Sequence, residues 1–285
     1  MSDQANLETA PANTGLDAPR SNTPFSLTAA ALIASLVRRN IVPSLAARHG
    51  IEEDRTQVTD HAVRLTDIAR FVRLLRRSDS DPVPALVDLL ISRGGSNTDL
   101  YLDWLAPAAR LVGEEWLDDS CSFAEVTMVT VRLHQVLHAI RRATGKVSLG
   151  FNAPSILLAR TPGEQHGFGL VIVQALLADA GWRTHLVHQD GIDAILDAAR
   201  LEQYDLVGLS IGDAQLAGAA ANAISRLRAI AEDHTVFILG GQAVDADPAL
   251  VKRVGADAAL TGGRNLPAAA RKLVARQLLH AEAAL

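Results

Sequence analysis

The chain has a single cysteine, few aromatic residues and no long uncharged hydrophobic run. Of its 285 residues only Cys121 is a cysteine, which excludes an intramolecular disulfide and a metal site built from several thiolates. One free thiol is typical of a protein from a reducing compartment. Aromatic residues make up 4% of the chain and hydrophobic residues 48%, and this balance favours a helical or α/β protein rich in Ala, Leu and Val.

The charge and the hydropathy exclude two further classes of protein. The formal net charge is −5 and the pI is about 6.0, so the chain as a whole has no positive excess for binding nucleic acid. No run reaches the roughly 18 uncharged apolar residues of a membrane span, and the first residues lack the pattern of a signal peptide. We therefore expect a cytoplasmic protein.

The first half of the chain predicts helices after a polar tail. Residues 1–24 are rich in Ser, Thr, Asn, Ala and Pro, which predicts a disordered tail. Residues 25–59 follow as a helical extension, and the apolar periodicity of residues 60–149 predicts a four-helix bundle. The last of these helices begins at Ser122, and Glu125 three positions later completes the spacing of a capping box.

After residue 149 the pattern changes to short apolar runs that alternate with amphipathic segments. This alternation predicts a doubly wound, five-stranded parallel sheet of the flavodoxin or Rossmann-like class over residues 150–285. The predicted strands are 155–160, 184–187, 206–210, 236–240 and 258–262. The predicted helices are 168–180, 191–202, 214–231, 247–254 and 265–283. Ligands of such sheets bind beyond the carboxyl ends of the strands.

Glycines gather at that predicted edge of the sheet. They follow the first, third, fourth and fifth strands, at Gly167, Gly169, Gly212, Gly240, Gly241, Gly262 and Gly263. Because glycine has no side chain, several glycines at neighbouring strand ends leave a slot in which a flat or elongated ligand can touch the backbone. The phosphate-binding patterns G-x-x-x-x-G-K-[ST] and G-x-G-x-x-G are absent from this position.

The stretch "EQHGFG" places a carboxylate two residues before an imidazole, in the loop between the first strand and its helix. Glu164 can accept a hydrogen bond from one ring nitrogen of His166, which fixes the tautomer and presents the other nitrogen to a metal. A bare zinc ion needs three or four protein ligands. One supported histidine instead suits a metal that arrives already chelated in a macrocycle.

"EQHGFG" resembles the D-x-H-x-x-G signature of cobalamin-binding domains, with Glu164 in the Asp position. That family continues with S-x-L and then G-G. This chain has Ser210-Ile211-Gly212 after 40 intervening residues, and Gly240-Gly241 after a further 27. The resemblance implies that His166 coordinates cobalt from below, beside Gln165, and that the nucleotide tail of cobalamin passes Ser210 and lies along Gly240 and Gly241. Gly212 replaces the Leu of the family pattern and removes one wall contact.

The bundle sequence "GEEWLDDSCSFAEVTMVTVRLHQ" resembles the helical cap of methionine synthase and of the light-sensing repressor CarH. The resemblance implies that Trp116 covers the upper face of the corrin. CarH-like caps have a Glu-His pair about ten residues later, where this chain has Glu125 and Val126. The upper histidine is therefore missing, and His134 or His138 is an alternative upper ligand. We expect the hydroxo or aquo form of cobalamin to be favoured, with the adenosyl and methyl forms also possible.

Residues 60–285 as a whole resemble the AerR/PpaA family of photosynthetic bacteria, whose cap contains a phrase close to "CSFAEVTMVTVRLHQ". The resemblance implies a light-responsive, non-enzymatic antirepressor whose partner is a PpsR/CrtJ-type transcription repressor.

Two alternatives to the antirepressor hypothesis stay open. The chain is also compatible with a corrinoid carrier that serves a methyltransferase or mutase. A direct DNA-binding sensor is the other alternative, because "VPSLAARHGI" loosely matches half of a helix-turn-helix. Arg70, Arg73 and Arg77 also share one helix face that can meet phosphate or an acidic partner.

Overall fold

The structure of the protein, a computed structural model, describes residues 63–77, 81–145 and 147–283. The predicted disordered tail (1–24) and helical extension (25–59) lie outside the described residues, and so does the segment "VPSLAARHGI".

The described chain begins with a helical cap. Its helices are α1 (Leu65–Leu75), α2 (Val83–Ser92), α3 (Asn97–Leu100), α4 (Ala106–Leu117) and α5 (Phe123–Thr144). A π-helical turn, Tyr101–Leu105, joins α3 to α4 without a break. Pro107 explains the widened turn, because a proline has no N–H to donate to the carbonyl four residues earlier and its ring crowds that carbonyl.

The predicted capping box at the start of α5 is confirmed. The backbone N–H of Ser122 donates to the carboxylate of Glu125 over 2.8 Å, and the Glu125 N–H donates to the Ser122 hydroxyl over 3.3 Å. The apolar stripe of α5 then faces the other cap helices. Its fully buried members are Val129, Leu133, Val136, Leu137 and Ile140.

The sheet confirms the predicted fold class. All four strand pairings are parallel, and the strand order is β2-β1-β3-β4-β5. The strands are β1 (Ser155–Arg160), β2 (Arg183–Leu186), β3 (Leu206–Ser210), β4 (Val236–Gly240) and β5 (Ala258–Ala259). β5 is shorter than predicted because Gly262 adopts φ +89°, which turns the chain away from an extended path.

The connecting helices are α6 (Phe168–Asp179), α7 (Ile192–Leu201), α8 (Ala217–Arg228), α9 (Gln242–Ala246), α10 (Leu250–Val254) and α11 (Leu266–Ala283). The single helix predicted for 247–254 is wrong in its start, because two short helices follow β4. Pro248 explains the break, since the residue before a proline avoids helical backbone. A 3₁₀ turn, Ala214–Leu216, precedes α8.

Helix α6 joins the cap to the sheet. Its Leu170 and Leu177 belong to the apolar core on one face of the sheet, while Ile172, Ala175 and Leu176 belong to the core of the cap. A helix that buries opposite sides against two layers has to be apolar around most of its circumference. This explains why "FGLVIVQALLAD" contains only two polar residues. Among the described residues, none of the helices combines the length and apolar character needed to cross a bilayer.

Candidate functional site

A cavity of about 560 Å³ lies between the cap and the carboxyl ends of the strands. Helices α4 and α5 supply its upper wall, and the loops after β1, β3, β4 and β5 supply its lower wall. Twelve of the predicted site residues line it together: Trp116, Val126, Gln165, His166, Gly167, Gly169, Ser210, Gly212, Gly240, Gly241, Gly262 and Gly263. The prediction that these positions meet at one edge therefore agrees with their placement in the structure.

Glu164 lies behind His166, outside the lining. Its carboxylate is buried and accepts two hydrogen bonds at Oε1, from the His166 backbone N–H over 2.9 Å and from the ring Nδ1 over 2.6 Å. The second oxygen, Oε2, accepts from the backbone N–H of Gly212. Burial raises the pKa of Glu164, but the hydrogen bonds from His166 and Gly212 together lower it further, so the pKa lies below its usual range.

This pairing leaves one ring nitrogen of His166 free. Because the carboxylate can only accept, Nδ1 must carry the proton, and Nε2 of the neutral ring keeps its lone pair. Nε2 is buried and has no hydrogen-bond partner in the described part of the structure. A buried nitrogen without a hydrogen-bond partner lowers the stability of the folded protein, unless a ligand occupies the site. The arrangement is therefore that of a metal-binding imidazole whose tautomer is fixed by Glu164.

The metal would have to come with its other ligands. Within the described ranges, no group of three or more His, Cys, Asp and Glu side chains is placed to hold an ion. The single imidazole and the apolar lining fit a chelated cobalt ion in a large macrocycle better than a bare ion, which takes several protein ligands.

Glu125 is the one predicted site residue on the cap that the structure separates from the cavity. Its carboxylate accepts from both the N–H and the hydroxyl of Ser122 and is not part of the lining. The prediction that Glu125 contacts the cofactor is therefore not supported by its position, because capping the start of α5 directs the carboxylate along the helix axis.

The cap side of the cavity carries aromatic side chains. Trp116 packs edge-on against Phe123, with ring centroids 6.2 Å apart, and both line the cavity. The indole N–H of Trp116 is buried and has no hydrogen-bond partner among the residues that the structure describes. Phe123 was missed by the sequence analysis, although an aromatic residue at the first position of an amphipathic helix is a usable signal.

Neither His134 nor His138 lines the cavity. Nδ1 of His134 lies 2.8 Å from the carbonyl of Thr130, one turn earlier, and must donate to it. The His134 ring packs edge-on against Phe168 at 4.8 Å. His134 thus lies between α5 and α6, and its placement agrees with an interhelical role rather than with an upper cobalt ligand.

The glycines of the edge differ in what they do. A Cβ on Gly240 would come within 2.8 Å of the Leu260 carbonyl, and one on Gly241 within 2.4 Å of the Ile211 carbonyl. Gly241 also has φ +106°, which favours glycine. These two glycines are therefore required where backbone meets backbone, in addition to lining the cavity. By contrast, a Cβ on Gly169 would meet open space.

Gly208, in the middle of β3, was not predicted as a site residue. It lines the inner end of the cavity, and a Cβ there would lie 3.0 Å from Leu158 and 3.2 Å from Ile238 on the neighbouring strands. Its missing side chain extends the cavity over the sheet. A glycine inside an apolar strand is a known sign of close approach by a ligand or by backbone, so the signal was present in "LVGLS".

Two polar clusters fasten the cap to the α/β part. Asp179, at the end of α6, accepts hydrogen bonds from Asn97 and Tyr101 over 2.9 Å each and from Arg141 over 3.3 Å. Arg264, after β5, donates to Asp99 and Asp103 in the cap. Arg70 and Arg73 are exposed on α1, whereas Arg77 is exposed beyond the end of that helix, so the prediction that all three share one helix face is wrong for Arg77. None of the three lines the cavity.

The fold and the site define a cobalamin-binding α/β domain that carries a helical cap. Residues 154–270 match the family model of the B12 binding domain. An uncharacterised 20.5 kDa protein encoded in the bchF-crtJ intergenic region of Rhodobacter capsulatus is 28% identical over 160 residues, which are 56% of this chain and 83% of that protein. The chain therefore carries a cobalamin-binding domain, and its similarity to this Rhodobacter capsulatus protein agrees with the resemblance to the AerR/PpaA family that the sequence predicted.

A solved structure shares the fold. The monomethylamine corrinoid protein of Methanosarcina barkeri superposes with a TM-score of 0.55, at 15% identity, over 73% of this chain and 99% of that one. The likeness covers the sheet together with helices that precede it, and at this identity it bears on the fold alone.

Proposed function

We propose that the protein is a cytoplasmic, light-responsive regulator that binds cobalamin through His166 and acts as the antirepressor of a PpsR/CrtJ-type repressor of photosynthesis genes. It acts as a sensor and not as an enzyme. The observation that carries the proposal is Nε2 of His166, which is buried and has no hydrogen-bond partner among the described residues, at a cavity that the cap helps to line. The relative encoded between bchF and crtJ supports the choice of partner.

The chain offers a lower and an inner contact to the cofactor. His166 would hold the cobalt, and the nucleotide tail would pass Ser210 and lie along Gly240 and Gly241, in the part of the cavity that Gly208 also lines. A bound cobalamin with an alkyl upper ligand supplies a cobalt–carbon bond that light cleaves. The residues of the cap then decide which upper ligand is tolerated.

The upper wall favours a small ligand on the cobalt. Trp116, Phe123 and Val126 occupy this wall, and neither of the described cap histidines, His134 and His138, belongs to the lining. A bulky deoxyadenosyl group would have to displace these packed side chains, whereas water or hydroxide would not. Light would therefore produce the form that the closed cap accepts, and the protein would change between two arrangements according to their differential affinity for the ligand.

Calorimetric titration in darkness tests the preferred form. We expect hydroxocobalamin to bind more tightly than adenosylcobalamin, and the bound spectrum of the wild type to show imidazole coordination. His166→Ala should lose most of the affinity and that spectral signature, while His138→Ala, which alters an exposed histidine of the cap, should keep both. Equal affinity for the two cobalamins would contradict the preference.

A gel-shift assay with the repressor and its operator DNA tests the regulatory role. We expect the cobalamin-loaded protein to release the repressor from DNA, and the cobalamin-free protein and His166→Ala to do so less. A shift of the DNA by this protein alone would favour the direct DNA-binding sensor. Methyl transfer from methylcobalamin on the protein to an acceptor thiol, catalysed by a corrinoid methyltransferase, would favour the carrier.

A further inference from the structure

Two departures from the cobalamin-binding pattern touch each other. Glu164 stands where the pattern has Asp, and Gly212 stands where it has Leu. They are 48 positions apart, yet the Gly212 N–H donates to Oε2 of Glu164. The parallel register of β1 and β3, in which Arg160 is opposite Ser210, brings the two following loops side by side.

The backbone conformation at position 212 does not require a glycine. It is absent from the residues with positive φ, so an L side chain can adopt its backbone angles. Its neighbour Ile211 is fixed, because the Ile211 N–H donates to the Gly240 carbonyl over 2.9 Å. The requirement for glycine must therefore come from space.

That space is occupied by the histidine and its carboxylate. A Cβ on Gly212 would lie 2.9 Å from Oε2 of Glu164 and 3.2 Å from Nδ1 of His166. Both distances are shorter than an ordinary carbon contact of about 3.5 Å. The Glu164 side chain would have to move, and three hydrogen bonds hold it in place. The bond between Glu164 and His166 would therefore be disturbed.

We infer that Gly212 is a positioning residue for the cobalt-binding imidazole. Its missing side chain makes room for a glutamate, which is one methylene longer than aspartate, and its N–H holds the second carboxylate oxygen. Glu164 is thereby held so that Nδ1 of His166 donates and Nε2 is the ring nitrogen left to bind a metal. Glu164 and Gly212 form one unit, in which a longer carboxylate requires a glycine opposite. The inference depends on the proposed function, in which His166 binds cobalt.

A double-mutant cycle on the full chain tests the pairing. We compare wild type, Gly212→Ala, Glu164→Asp and the double variant Glu164→Asp/Gly212→Ala, with Gly218→Ala as the matched control. A Cβ on Gly218, in α8, would meet nothing within 4 Å. The first readout is the ring ¹⁵N chemical shifts of His166 in the cobalamin-free protein, which report the tautomer. The second is the affinity for hydroxocobalamin.

Gly212→Ala should shift the His166 ¹⁵N resonances and weaken binding by about tenfold or more, which is typical when the partner of a metal-binding histidine is disturbed. The same alanine added to Glu164→Asp should cost little or restore affinity, because the shorter carboxylate leaves room for the Cβ. Gly218→Ala should match wild type in both readouts. A general packing defect at Gly212 would instead lower affinity equally in both backgrounds.

The outcomes separate this inference from the proposed function. If wild-type cobalamin shows no imidazole coordination and His166→Ala binds normally, the proposed function fails. If His166 coordinates but Gly212→Ala leaves both the ¹⁵N shifts and the affinity unchanged, or costs the same in both backgrounds, the positioning role is wrong. If Gly212→Ala does not fold, the Glu164→Asp variant is the test. Its shorter carboxylate cannot reach the Gly212 N–H, so the His166 ¹⁵N resonances should shift. Unchanged ¹⁵N shifts in this variant would overturn the inference.

Discussion

The guanidinium of Arg264 lies 2.6 Å from a carboxylate oxygen of Asp103, a residue 161 positions earlier in the chain. The same guanidinium donates to Asp99. These contacts join the loop after β5 to the cap next to Gly263, which lies against Leu102 at the cavity wall. These ion pairs therefore hold the cap to the α/β part at one edge of the cavity, and we call them the Arg264 fastening.

Arg264→Ala should loosen that edge with little loss of global stability. All three charged groups are partly exposed, so we expect the free energy of unfolding to fall by less than about 1 kcal/mol. Amide hydrogen exchange of residues 97–105 should increase, and hydroxocobalamin should associate faster. Arg253→Ala is the control, because it breaks a surface pair with Asp247 in which neither residue lines the cavity. Unchanged exchange in the Arg264 variant would contradict the fastening.

The same fastening should weaken at acid pH. The hydrogen bond from Arg264 is the main reason that the pKa of Asp99 lies below its usual value. A carboxyl whose pKa is lowered by folding stabilises the native state above its unfolded pKa of about 3.9, and this contribution is lost as the pH falls further. We expect the difference in hydrogen exchange between wild type and Arg264→Ala to shrink below about pH 4. A difference that stays constant to lower pH would argue against the assignment.

Removal of the Asp179 side chain should lower the free energy of unfolding more than removal of the Arg264 side chain does. The hydroxyl of Tyr101 is fully buried and donates to Asp179 over 2.9 Å. Asp179→Ala would leave that hydroxyl without an acceptor, which costs about 1–3 kcal/mol of unfolding free energy. Urea denaturation measures the loss. The same alanine in a Tyr101→Phe background should cost less, because no hydroxyl is then stranded, and an equal cost in both backgrounds would contradict this explanation.

Gly241→Ala should lower the stability of the cobalamin-free protein, apart from any effect on cofactor binding. At φ +106° an L side chain is strained by about 1–3 kcal/mol, and the added Cβ would lie 2.4 Å from the Ile211 carbonyl. Gly169→Ala places a methyl group in open space at the same cavity. We expect thermal unfolding of the cobalamin-free protein to drop clearly for Gly241→Ala and to stay near wild type for Gly169→Ala. Equal melting temperatures would mean that the strand ends tolerate a side chain at Gly241.

Trp116→Ala should weaken the preference of the protein for cobalamins with a small upper ligand. Trp116 lines the upper wall together with Phe123 and Val126, so its removal opens room above the lower ligand. We expect the ratio of adenosylcobalamin to hydroxocobalamin affinity to rise in calorimetric titrations in darkness. Circular dichroism should show an intact fold. A ratio that does not change would mean that the indole does not set the height of the cavity.

Local sequence determined the secondary-structure elements of this protein and the pairing of Glu164 with His166. The Ser122–Glu125 capping box, the alternation of strands and helices, and the contact between Glu164 and His166 all join residues within a few positions. Hydrogen bonds and side-chain periodicity over such short separations depend on backbone angles that neighbouring residues set. The same holds for the assignment of the glycines to strand ends.

Only the tertiary structure decided which of these residues face the cavity and why each glycine is needed. Gly212 meets Glu164, Gly241 meets Ile211 and Tyr101 meets Asp179 through the register of parallel strands and the packing of α6 between two cores. The sequence assigned Glu125 to the cofactor because of its place in a motif, whereas the capping box turns its carboxylate away. Contacts between residues tens of positions apart depend on how complete layers pack, and no short stretch of sequence contains that information.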